Sequence, residues 1–225
     1  MTQNWPVAKD GLPYITGGLA ATALAAVFHP LAMILPGLLT AFFIFFFRNP
    51  RRTGLHNPTA LISPADGRVL SVTPVEHDPF LEAPAIRISI FLSLFNVHIN
   101  RSPMDGRVVK VVYRPGQFLP AFKSHASEIN ERNTLVIAGP ETTIAVHQIT
   151  GFVARRIVCD VREGDVLTQR QRFGMIRFGS CTELILSPDH VVHVQAGDKV
   201  QGGLTILASR PESKQTQNAS SGVNP

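Results

Sequence analysis

The chain has 225 residues, 44% of them hydrophobic and 16% charged, with a formal net charge of +5 and a sequence pI near 9.7. That length holds one ordinary domain with appendages and a real core, and the composition excludes a wholly disordered chain. The basic balance asks for an anionic partner. Arginines scattered without an aromatic platform argue against nucleic acid and leave a lipid surface, and only two cysteines, Cys159 and Cys181, argue against a disulfide framework.

From Gly11 to Phe47 the only ionisable side chains are Tyr14 and His29. A single membrane span takes roughly 20 apolar residues, so this block is too long for one span and slightly short for two. His29-Pro30 and Pro36-Gly37 lie near its middle, where a break costs least. The prediction is a tight helical hairpin over residues 12–28 and 31–47, crossing the bilayer twice or dipping into one leaflet. The run Phe42-Phe43-Ile44-Phe45-Phe46-Phe47 belongs in lipid or at its interface. Arg48-Asn49-Pro50-Arg51-Arg52 follows at once and places this end on the cytoplasmic side.

Beyond Leu61 the texture changes to short runs rich in Val, Ile, Thr and Phe, at 68–72, 85–91, 107–113, 134–137, 143–149, 152–158, 175–178, 184–186 and 191–194. Gly, Pro, Asp and Asn separate many of them. The expected fold is mainly β, an antiparallel sandwich or partly open barrel, with one helical or irregular segment at 121–130. The expected plan is a membrane-associating hairpin and basic linker at 1–54, a β-rich catalytic domain at 55–209 and a disordered polar tail at 210–225. Two turn patterns repeat. Ala65-Asp66-Gly67-Arg68-Val69 matches Met104-Asp105-Gly106-Arg107-Val108, and Glu163-Gly164-Asp165-Val166-Leu167 matches Ala196-Gly197-Asp198-Lys199-Val200. Lipoyl and biotinyl hammerhead domains also feed strands with Asp-Gly and Gly-Asp turns. Each such pair is in the first place a plain turn.

The residues with chemistry lie in three segments, Ser63-Pro64-Ala65-Asp66-Gly67-Arg68, Phe95-Asn96-Val97-His98-Ile99-Asn100 and Phe178-Gly179-Ser180-Cys181. They supply a carboxylate, an imidazole and a hydroxyl, the parts that activate a serine. Gly179-Ser180 is the only Gly-Ser dipeptide, and a glycine there lets a hydroxyl approach the preceding carbonyl closely. Cys181 is a rival nucleophile without a cysteine-protease signature around it. Eight histidines compete as base. His98 closes the apolar run 88–97, where an imidazole must be satisfied or functional, and composition alone favours a satisfied one. His190 and His193 give only a weak metal signal, and no metal site is expected.

Six ordered segments sharpen this reading: 63–67, 95–98, Gly116-Gln117-Phe118-Leu119-Pro120-Ala121-Phe122, Asn130-Glu131-Arg132-Asn133, Ala154-Arg155-Arg156-Ile157-Val158 and 172–180. Together with the apolar block ending in Phe47-Arg48-Asn49-Pro50, they resemble the short bacterial phosphatidylserine decarboxylase proenzymes, over about residues 10–208. The resemblance implies self-cleavage between Gly179 and Ser180, with Asp66, His98 and Ser180 as the cleavage triad. It implies a large β chain (1–179) paired with a small α chain (180–225), and Ser180 converted into a covalent pyruvoyl cofactor. Phosphatidylserine in the inner membrane is then the substrate, approached from the cytoplasmic side, with His98 also a proton donor. Arg155, Arg156 or Arg177 would hold the lipid phosphate, although each alone reads as a solvated strand charge. A higher oligomer is left open. The family usually follows Gly-Ser with Arg-Val-Asp, whereas this chain has Cys181-Thr182-Glu183.

Three rivals are weaker. A membrane-tethered serine hydrolase would carry a nucleophile elbow with flanking glycines, and a lipoyl-like carrier would present a lysine at a hairpin tip. A pyruvoyl decarboxylase of a soluble amino acid would have no use for residues 11–47.

Overall fold

A computed structural model of the chain describes residues 5–119, 129–151, 156–177 and 180–211. The apolar block forms two helices, α1 (Leu12–Phe28) and α2 (Ile34–Phe46), each led in by a 3-10 turn, at Lys9–Gly11 and Pro30–Met33. The break falls at His29, whose extended backbone stops α1 and whose Nδ1 accepts the Leu31 amide. Pro30 then opens the next turn without an N–H to satisfy. The helices approach closely at Gly18, where a Cβ would stand 2.4 Å from Thr40 Oγ1. α1 buries no residue, and Leu24, Val27, Phe28, Leu31 and Leu35 are all exposed. The stretch Lys9–Phe28 is long and apolar enough to cross a membrane, while Pro30–Phe46 is shorter.

The remainder is β-structure. The first strands are β1 (Ala60–Ile62), β2 (Gly67–Asp78) and β3 (Ala83–Leu92). Next come β4 (Ile99–Arg101), β5 (Gly106–Arg114), β6 (Arg132–Ala138), β7 (Thr143–Thr150), β8 (Arg156–Cys159), β9 (Val166–Leu167) and β10 (Arg172–Arg177). The last are β11 (Ser180–Leu186), β12 (Val191–Val192), β13 (Lys199–Val200) and β14 (Ile206–Ser209). An eight-stranded antiparallel sheet, ordered β13-β2-β3-β11-β7-β6-β5-β9, curls into an open half-barrel. Two three-stranded sheets accompany it, β1-β14-β12 and β4-β10-β8.

These orders are palindromic. Exchanging β1, β2, β3, β11, β12, β13 and β14 for β4, β5, β6, β7, β8, β9 and β10, in that order, maps each sheet onto itself or onto its twin. The domain is two seven-strand units of one connectivity, the second inserted into the first. The repeated turns mark the correspondence. Gly197 N bonds Val69 O and Val69 N bonds Asp198 O at 2.8 and 2.9 Å, just as Gly164 N bonds Val108 O and Val108 N bonds Asp165 O, both at 2.8 Å. Ser63 Oγ donates to Ala65 O at 2.6 Å, and Ser102 Oγ to Met104 O at 2.6 Å. The chain crosses between units twice, between β3 and β4 and between β10 and β11.

Alternation along the central strands separates two faces. Ile88, Ile90, Leu184 and Leu186 point into the half-barrel with Val108, Leu135, Phe173 and Leu207, forming the main core. Cys181 and Ile185 point to the opposite face, with Ile149 and Ala145. One expectation needs correcting: the core strand does not run through Val97 to His98. β3 ends at Leu92, because Asn96 caps a turn, its amide on Ser93 O at 3.0 Å and its side chain on Ser93 N and Oγ. Of the helical or irregular segment expected at 121–130 only Ile129 and Asn130 are described, and the expected tail lies beyond the described residues after Pro211.

Candidate active site

Both crossings between the units carry the expected chemistry. Ser180 opens β11, opposite Leu92 of β3 and Thr150 of β7, on the face that bears Thr182 and Leu184. It is fully buried, and among the described residues its Oγ has no hydrogen-bond partner. A buried unpaired hydroxyl costs stability unless it has other work. Phe178, Gly179 and Arg155 lie outside the described residues.

His98 sits in the other crossing, just before β4, and its carbonyl accepts the Ile176 amide at 3.2 Å from β10, the strand that leads to Ser180. It too is fully buried. Its Nδ1–H donates to Asn96 O at 3.1 Å, which leaves Nε2 as the ring's acceptor. Phe46, in the last turn of α2, packs on the ring with centroids 4.4 Å apart. Burial pulls the imidazole down to about 4, against the Asn96 carbonyl and with help from Arg48. His98 is therefore a neutral imidazole at physiological pH.

Asp66 is engaged elsewhere. Its Oδ2 takes Arg52 at 2.7 Å and its Oδ1 the Gly202 amide at 2.7 Å. Burial raises its carboxyl above the ordinary value, opposed by Arg52 and that amide. The corresponding residue of the inserted unit, Asp105, takes the Gln169 amide at 2.6 Å and His56 at 2.6 Å. The shared amide contact is architectural, whereas the partly buried Arg52 is particular to the Asp66 side. Arg48 acts on both Asp66 and His98. It reaches from the end of α2 to Phe45 O and Phe95 O, at 2.8 and 2.6 Å.

A chain of buried amides that sequence reasoning did not single out links the two crossings. Asn133 donates to Gln148 Oε1 at 2.9 Å, Gln148 to Asn100 Oδ1 at 2.9 Å, and Asn100 to Thr182 Oγ1 at 3.1 Å. It couples Thr182, two residues past Ser180, to Asn100, two past His98. The signal was available: Gln148 follows Ile144 and Val146 at period two, an amide on the strand face that fills the half-barrel.

Arg177, expected at the lipid phosphate, contacts Asp10 at 3.4 Å and Tyr14 Oη at 3.4 Å. Asp10 also pairs with the buried Arg172 at 2.8 Å. Arg156 is exposed, directly opposite Arg177 across β8 and β10. Cys181, the rival nucleophile, lies on the opposite face of the sheet from Ser180, and burial pushes its thiol well above the usual range. Glu183 is on that same far face, bonded by Ser89 at 3.0 Å, so it does not reach the serine side.

The comparisons with known proteins identify the family. The phosphatidylserine decarboxylase family model matches residues 39–208. A phosphatidylserine decarboxylase proenzyme of Carboxydothermus hydrogenoformans is 52% identical over 200 residues, covering 88% of this chain and 94% of that protein. One from Desulfotalea psychrophila is 41% identical over 204 residues, covering 90% and 95%. Another, from Granulibacter bethesdensis, is 44% identical over 200 residues, covering 87% and 82%. With most of its length matched, the chain belongs to the phosphatidylserine decarboxylase family, enzymes that decarboxylate phosphatidylserine.

Proposed function

We propose that this chain is a self-processing precursor that converts Ser180 into a pyruvoyl group and uses it to turn phosphatidylserine into phosphatidylethanolamine. The observation that carries the reading is the unpaired, fully buried Ser180 Oγ at the head of β11, reached by β10, the strand whose Ile176 amide bonds the carbonyl of the buried, neutral His98. In the first step His98 Nε2 takes the hydroxyl proton and Oγ attacks the Gly179 carbonyl. The C–N bond of that peptide breaks and an ester forms, the proton passing to the freed amine. Loss of the Ser180 α-proton then expels the Gly179 carboxylate and leaves dehydroalanine. Water hydrolyses that residue, ammonia departs, and a pyruvoyl group remains at the head of the 180–225 chain.

Asp66 completes the proposed triad without a direct bond to His98. It balances Arg52 and Arg48, keeping the cations beside the imidazole in place. The pyruvoyl group, once formed, supplies an electron sink for the loss of CO₂. The strand partners of β11 keep its first residue from water, with Leu92 directly opposite, and His98 moves a proton at the reacting carbon. The site residues fit the group, because β11 holds Ser180 fully buried at its first position.

The 1–179 and 180–225 chains stay paired in this scheme, since β11 lies between β3 and β7 in the middle of the sheet. Residues 1–54 serve as the membrane unit, placing the catalytic domain of residues 55–209 on the cytoplasmic face of the inner membrane. Borohydride reduction tests the cofactor. Treated enzyme should lose CO₂ release from carboxyl-labelled phosphatidylserine, and full activity after reduction would overturn the pyruvoyl reading.

A further inference from the structure

The crossing that carries His98 also borders a cavity of about 500 Å³, lined among others by Asp66, Arg68, Phe91, Ser93, Asn96 and Lys199. Arg68 and Lys199 stand directly opposite each other on β2 and β13. Like charges in that position repel. Neither has a carboxylate or hydrogen-bond partner among the described residues, and Asp66 is neutralised by Arg52 and the Gly202 amide.

The inserted unit shows what this position looks like without a ligand to serve. There Arg107 faces Val166, not a lysine, and its guanidinium is spent on Gly164 O at 2.7 Å. Phe91, the neighbour of Arg68, corresponds to Ala138, the neighbour of Arg107. So the unit that holds the active site adds a second cation, frees the first and supplies an aromatic wall. The cavity also lies toward the hairpin. Phe95, between the lining residues Ser93 and Asn96, is 72% exposed, and its carbonyl holds Arg48 at the end of α2.

Resting on the decarboxylase reading, we propose that this cavity seats the phosphodiester of the phospholipid headgroup between Arg68 and Lys199, on the Cys181 face of the sheet, with the headgroup's serine end turning around the end of β3 past Asn96 toward His98 and the first residue of β11. Arginine and lysine bind phosphate as a fork and a point charge respectively.

The test uses full-length protein in detergent micelles with phosphatidylserine as substrate. The Arg68→Gln/Lys199→Gln double variant should mature to two chains as the wild type does, while its KM rises on the order of tenfold or more with kcat nearly kept, the loss expected for charge-assisted hydrogen bonds. Soluble glycerophosphoserine should compete with the wild type and lose that ability against the variant, and inorganic phosphate should compete far less. Lys199→Gln alone, at an exposed strand end, should shift KM in the same direction, and Lys199→Arg should restore it. An unchanged KM in mature variants, or inorganic phosphate competing as well as glycerophosphoserine, overturns the proposal. A wild type that matures but releases no CO₂ fails at the underlying decarboxylase reading instead.

Discussion

Asp66 and Asp105 are the same residue twice over, and the difference between them isolates what is functional. Both cap their turn by accepting an amide, so Asp→Asn at either should cost some stability, roughly 1 kcal/mol for one such bond. Of the two, only Asp66 binds Arg52 and is felt by Arg48, the cation that also acts on His98. Asp66→Asn should therefore arrest chain cleavage while Asp105→Asn matures normally, read by denaturing gel. Equal maturation of the two would reduce Asp66 to a turn residue. In the proposed cleavage His98 sets the pH dependence. Its value of about 4 keeps Nε2 unprotonated well below the ordinary 6.5. Precursor made in a short pulse and shifted to buffers between about pH 8 and about pH 5.5 should cleave at nearly constant rate, as a base already deprotonated requires. Half-loss near the ordinary histidine value would contradict the buried-base assignment. Folding stability follows with a definite sign. Between the ordinary value and about 4 the unfolded state binds more protons at this histidine, so its contribution falls as pH falls.

At the scale of elements, the amide chain Asn133–Gln148–Asn100–Thr182 fixes β4 against β11, and with them the two crossings. Asn100→Leu leaves Thr182 and Gln148 short of partners in a dry interior. It should lower stability by about 1–3 kcal/mol and lengthen the cleavage half-time, measured by thermal unfolding and by pulse-chase. Wild-type values in both would remove the chain from the account. Much at this scale was legible in the sequence. The hairpin's first helix has the predicted bounds, because an apolar block broken at His29-Pro30 admits little else. The repeated Asp-Gly and Gly-Asp turns were visible as turns and fall at matching places in the two units, but their repetition alone did not reveal a duplicated unit. Less legible were the short strands β1, β4, β9, β13 and β14, whose two to four residues carry too little periodicity to register. The opposite orientation of Ser180 and Glu183 follows from strand alternation once β11 is known to start at Ser180. The partners Arg52–Asp66 and Asp10–Arg172 had no local signal, since only the fold brings them together.

For the molecule as a whole, the hairpin is part of the catalytic domain's construction. Phe46 and Phe47 are fully buried against Val97, Ile99 and Met175, and Asp10 clamps Arg172 and Arg177 on the strand that leads to Ser180. Each large apolar side chain so buried contributes roughly 1.5–3 kcal/mol. A chain lacking residues 1–47 should lose solubility and fail to cleave even in detergent, as judged by gel and sedimentation. A soluble, fully maturing truncation would make the hairpin a detachable anchor. The site thus lies where three things meet: the foot of the hairpin and the two crossings between the seven-strand units.

The most direct measurement is the intact mass of the purified protein under denaturing, reducing conditions. The account predicts two species dividing between Gly179 and Ser180, the smaller lacking a free amine and carrying a pyruvoyl group in place of its first serine. One uncut chain in folded, membrane-bound protein would contradict it.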